Sequence, residues 1–123
     1  MDISEISFSE NWNNKLNCAC FSTIRLHNPT KYAVGNKFKV TLKGQLKPHP
    51  ATVRTVTAFR LDQLTEGMAL LDTGYSKYET VKMIQKMYKN KITNLSTQLF
   101  DFVILGYIKS ETITPQISLY ATH

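Results

Sequence analysis

Alternation along Phe21-Ser22-Thr23-Ile24-Arg25-Leu26 places Thr23, Arg25 and His27 on one face of a β-strand, with Ser22, Ile24 and Leu26 on the other. A hydroxyl, a guanidinium and an imidazole in a row can form a polar pocket wall. The arginine offers a rigid fork to a phosphate, a carbonyl or a base edge. Two plainer roles stand beside this. Arg25 can pair with a carboxylate such as Glu79 and tie strand to helix, and His27, beside Asn28-Pro29, has the position of a surface turn residue.

These residues lie in a segment of one charge. Between Asn11 and Leu61 there are nine lysines and arginines and no aspartate or glutamate; every acid falls in the first ten residues or from Asp62 onward. Such segregation points to a polyanion or an anionic, nucleotide-like ligand. A solvated lysine-rich surface that keeps a small protein soluble has the same composition. Lys37, Lys39 and Lys43 fall on one side of their strand, where they make a basic rim able to track a phosphate backbone. Trp12, Tyr32, Tyr75 and Tyr78 are candidates for base stacking, or else packing residues.

The elements that must position these groups are short. Phe8 to Leu16 reads as a short helix or an irregular entry, and Phe21–Leu26 as a strand ended by Asn28-Pro29-Thr30. Tyr32 to Asn36 is a turn. Phe38, Val40 and Leu42 then alternate with Lys37, Lys39, Thr41 and Lys43, as in a half-buried strand. Ala51 to Leu61 is a long strand, bent or bulged. A short helix follows from Asp62 to about Gly74. Ser76-Lys77-Tyr78-Glu79 has the capping-box pattern and opens a second helix to about Asn90. In that role Glu79 reaches back to the backbone of Ser76. Phe100 to Ile108 is apolar on both faces, a buried strand, and Ile117 to Ala121 adds a possible edge strand. The order predicts one α+β domain over residues 1–123, built on a curved or closed sheet.

Thr23-Ile24-Arg25, the Tyr-x-x-Gly turn at Tyr32 to Gly35, Leu61 to Glu66 and Glu79 to Tyr88 together resemble the ASCH family, over about Phe8 to Ile108. The resemblance implies a small PUA-like mixed β-barrel of five or six strands with two helices, and an RNA-associated or modified-nucleoside binding module. Order and spacing are similar to a small bacterial branch of the family that hydrolyses the acetamide of acetylcytidine. There the implied machinery is a lysine, a threonine and a glutamate, with an arginine two residues after the threonine. Thr23, Glu79 and Arg25 occupy the last three positions, but Cys20 stands where the lysine belongs. Cys20 could itself act as the nucleophile, with Glu79 or His27 as base. The nearest lysine, Lys15, would need an unusual backbone path to reach the same place.

The remaining classes are narrowed by composition. Hydrophobic content of 42% excludes wholesale disorder, and no apolar stretch approaches the about 20 residues that cross a bilayer. The acidic start Met1-Asp2-Ile3-Ser4-Glu5 lacks the order of a secretory signal, so a cytoplasmic protein is expected. Cys18 and Cys20 are too close for an ordinary disulfide. His27, His49 and His123 have no zinc-ligand spacing to them, so neither metal nor cofactor is expected.

Overall fold

The computed structural model describes residues 3–44 and 47–108. Five strands form one mixed sheet: β1 (Ser4–Phe8), β2 (Cys20–Leu26), β3 (Lys37–Leu42), β4 (His49–Arg60) and β5 (Leu99–Tyr107). Their spatial order is β1-β3-β4-β5-β2. β1 runs parallel to β3, and the other neighbours are antiparallel. The α+β class is as the sequence predicts, but the sheet stops short of a closed barrel. The strand expected over Ile117–Ala121 lies outside the described residues.

Two apolar clusters occupy the two faces. Phe21 of β2, Val103 and Leu105 of β5, and Val53 of β4 turn into the concave side, with Ile6, Phe8, Phe38 and Val40. Phe100 and Phe102 of β5 turn the other way, against Leu64, Ala69 and Ile84 of the helical layer. β5 is therefore buried on both faces, which its unbroken apolar run requires. β4 shifts register between Val53 and Thr55, the bulge expected of so long a strand.

The helices begin and end on local signals. Thr65 Oγ1 accepts from Met68 N at 3.1 Å to start α1 (Glu66–Thr73), and Gly74 ends it at φ 82°. Ser76 Oγ accepts from Glu79 N at 3.2 Å to start α2 (Lys77–Met87).

The N-terminal region departs from expectation. Ser4–Phe8 is a strand, and a 3₁₀ segment covers Trp12–Asn17. Asn13 and Asn14 within it sit at φ 59° and 56°, a left-handed region that asparagine tolerates better than most residues. The turn is tied by its own asparagines: Asn11 Oδ1 accepts from Leu16 N at 2.8 Å, and Asn13 Nδ2 donates to Leu70 O of α1 at 3.1 Å. Gly74 is required twice over here. Besides its positive φ, a Cβ would meet Asn13 Oδ1 at 3.1 Å.

Among the described residues no helix is long and apolar enough to cross a membrane.

Candidate functional site

The two edge strands, β1 and β2, face each other across the opening of the sheet. Phe8 and Phe21 meet edge to face at 6.1 Å between centroids, and Arg25 Nη2 donates to Ser7 O at 3.0 Å. Beside this seam lies a crevice of about 190 Å³, lined by the polar groups of Glu10, Lys15, Thr23, Arg25 and Asp72 and by Phe8, Trp12, Met83 and Tyr88.

Its polar groups are paired in a definite order. Lys15 comes from the 3₁₀ segment, and the left-handed asparagines before it turn its side chain inward, where Nζ lies 2.8 Å from Asp72 Oδ1. The same oxygen accepts from Ser22 Oγ at 2.9 Å. Asp72 belongs to the last turn of α1, so this pair fastens the 3₁₀ segment to the helix. Arg25 Nε donates to Thr23 Oγ1 at 2.9 Å. The Phe8 ring lies beneath both cations, with Arg25 Cζ at 4.9 Å and Lys15 Nζ at 5.5 Å from its centroid. Burial pushes the Lys15 amine below its ordinary value; Asp72 opposes that shift and the nearby Arg25 guanidinium adds to it.

Two cations, Lys15 and Arg25, face two carboxylates, Asp72 and Glu10, so the crevice is formally balanced in charge but keeps spare donors. Arg25 keeps Nη1, and Lys15 keeps two of its three N–H groups. Those donors favour a polar acceptor such as a carbonyl oxygen, set between an aromatic wall and adaptable methionines.

The expected residues are thus divided. Thr23 and Arg25 converge, while Glu79 does not line the crevice. Its side chain is exposed, and Oε1 accepts from Ser76 Oγ at 3.2 Å, so the capping role accounts for it. It uses the Ser76 hydroxyl rather than the backbone N–H. The carboxylates that line the crevice are Asp72 and Glu10. Arg25 makes no pairing with Glu79; its side chain is spent on Thr23, Ser7 and Phe8. Cys20 is exposed at the start of β2 and is not part of the lining. The lysine that does enter is Lys15. No spacing rule marks it, but the Asn13-Asn14 pair in front of it was the available signal for a left-handed turn.

His27 lies outside the crevice. Its Nδ1 donates to Oδ1 of Asp101 at 2.7 Å, and Asn28 N donates to Oδ2 at 2.8 Å. Asp101 is fully buried, so this is an anchored imidazole rather than a free turn residue. Lys37, Lys39 and Lys43 are exposed along β3 and its turn, but their face is not purely basic. Glu5 of β1 stands opposite Lys39 in register. Hydrogen bonds from Thr41 and Ser7, with a smaller contribution from the Lys39 charge, hold its carboxyl below the usual range. Of the proposed stacking residues, Trp12 borders the crevice and meets Tyr75 edge to face at 5.9 Å. Tyr32 is core, packed on Phe38 at 5.8 Å, and Tyr78 lies under Lys82 on the surface. Among the described residues, no group of three or more His, Cys, Asp or Glu is placed to hold a metal.

No protein-family model, no curated protein and no solved structure matches this chain.

Proposed function

We propose that the chain is a binding module for a modified pyrimidine nucleoside, presented by RNA, with the base held in the crevice between β1 and β2. The observation that supports this is the meeting of Arg25, Thr23 and Lys15 with the Phe8, Trp12 and Tyr88 rings around about 190 Å³. That volume is below the roughly 300–1,000 Å³ of sites for drug-sized ligands, and suits a single base. The spare donors of Arg25 and Lys15 match carbonyl oxygens on a pyrimidine or on an acyl group attached to it. The basic segment supplies attraction for phosphate.

A second reading, amide hydrolysis of an acetylated cytidine, is favoured by Lys15. A lysine with a lowered pKa enters the crevice that holds Thr23, although Cys20 stands where the resemblance asks for one. In that reaction the neutral amine takes the Thr23 proton, the oxygen attacks the acetyl carbon, and the C–N bond breaks as the departing nitrogen is protonated. Water then cleaves the acyl-threonine to release acetate. Two features weigh toward binding. Lys15 is held as an ion pair by Asp72 at 2.8 Å. Thr23 is only 3% exposed, and among the described residues its hydroxyl partner is Arg25 rather than an amine.

Calorimetric titration with acetylcytidine, alongside an assay for released cytidine, separates the two. Binding without turnover is the expected result; turnover abolished by Lys15→Met establishes the second reading, and absence of both defeats each. Cys20→Lys is expected to create no activity, because that position does not line the crevice.

A further inference from the structure

A second depression of about 290 Å³ adjoins the crevice and shares Arg25 and Tyr88 with it. It is lined in addition by His27, Asn28, Lys31 and Tyr32. Its charge is one-sided. Among the described residues the one acid hydrogen-bonded to this lining is Asp101, which is fully buried and spends one oxygen on His27 and the other on the backbone N–H of Asn28. The carboxylate thus fixes the imidazole through Nδ1 while adding no exposed negative charge, and Nε2 is left to donate to a phosphate oxygen when the ring carries both protons. Lys31 is held near by: its backbone N–H donates to Asn28 Oδ1 at 3.1 Å, and its Nζ lies 5.5 Å from the Tyr32 ring centroid.

We propose that His27, Lys31 and Arg25 form a phosphate subsite for the nucleotide whose base enters the crevice. The ligand is then a nucleoside phosphate ester and not a bare nucleoside. This rests on the nucleoside reading of the crevice. The sharing of Arg25 carries the link: one guanidinium borders both depressions, so base and phosphate sit on either side of a single side chain. Continuity also gives the chain a way out. Asn28 and Lys31 border a third, open groove of about 720 Å³ that runs past Asn36 to Lys37. A phosphodiester leaving the subsite therefore meets another lysine next.

The test compares acetylcytidine, its 5′-monophosphate and a trinucleotide carrying acetylcytidine centrally, by titration calorimetry on the wild type, on Lys31→Ala and on Lys31→Ala with His27→Gln. We expect the phosphorylated ligands to bind about tenfold tighter at low salt, as suits a few charge-assisted hydrogen bonds. That preference should fall below about twofold in the double variant, with acetylcytidine affinity unchanged and the salt slope for the trinucleotide reduced by about one per lysine removed. A gain for the trinucleotide alone assigns the subsite to a phosphodiester within a strand; a gain for both assigns it to phosphate esters generally. Acetylcytidine binding with no phosphate preference, or a preference that survives the double variant, overturns the subsite and leaves the crevice reading intact. Failure of all three ligands to bind overturns both. Lys31 is exposed, so its variant tests the subsite without disturbing the fold.

Discussion

Lys15 and Asp72, 57 residues apart, form an ion pair of 2.8 Å whose side chains are 7% and 11% exposed. The pair joins a left-handed asparagine turn to the last turn of α1 and at the same time lines the crevice. It is the point at which fold and candidate site depend on the same atoms.

Breaking this pair from one side leaves a buried charge without its partner. Asp72→Asn and Lys15→Met should each lower stability by about 3–5 kcal/mol, read as a shift in the urea midpoint at constant slope. Asp72→Asn leaves Ser22 Oγ an acceptor, so it should be the milder of the two.

The same lysine predicts an alkaline signature. Its folded-state value is lowered from 10.5 by burial. Below that lowered value the amine is protonated folded and unfolded, and its burial cost is constant. Between it and 10.5 the unfolded chain binds a proton that the folded chain has released, so stability rises with pH there. Tyr32, Tyr88 and Tyr107, raised above 10.0 by burial, act in the opposite sense as pH climbs past that point. Because Lys15→Met lacks only the first effect, wild type should gain on it by up to about 1.4 kcal/mol per pH unit in the alkaline window below 10.5. Paired denaturant curves at rising pH measure this; a constant difference would refute it.

Arg25 spans the seam through Ser7 O, Thr23 and the Phe8 ring. Arg25→Lys keeps the charge but loses the fork, and about 1–2 kcal/mol of stability should go with it. Amide exchange should speed up in β1 more than in β5, since only β1 is held at that edge. Ligand affinity should fall at least tenfold.

Glu79→Ala should cost about 0.5–1 kcal/mol through the helix N-terminus, and should change acetylcytidine affinity less than twofold. A loss of affinity beyond tenfold without a matching loss of stability would return Glu79 to the site.

Much of the sheet was legible in the sequence because its signals are local. Phe38, Val40 and Leu42 alternate with lysines, Phe100 to Ile108 is apolar throughout, and Ser76 and Glu79 announce a helix start. The Ser4–Phe8 strand carried a weaker form of the same signal: Ile6 and Phe8 alternate with Glu5 and Ser7, but two apolar side chains gain meaning only when β3 and the concave core receive them. The site was half legible. Thr23 and Arg25 share a strand face, which period two predicts. Lys15 and Asp72 could not be paired in advance, because a lysine is ordinarily solvated and its burial here depends on a carboxylate far along the chain. Glu79 shows the converse case, a residue whose local capping chemistry suffices for its type and place. The acid-free stretch likewise seemed purely basic until β1 laid Glu5 beside Lys39.

The gap between β1 and β2 has a cost and a use. A ring completed by backbone hydrogen bonds between these strands would occupy the space with main chain and would be indifferent to side-chain identity. Left incomplete, the circle is spanned by one arginine, and the room so created is furnished by groups that evolution can exchange singly. The shape and polarity of that room can therefore be altered by point substitution along two strand margins, with no change to the architecture that holds them apart.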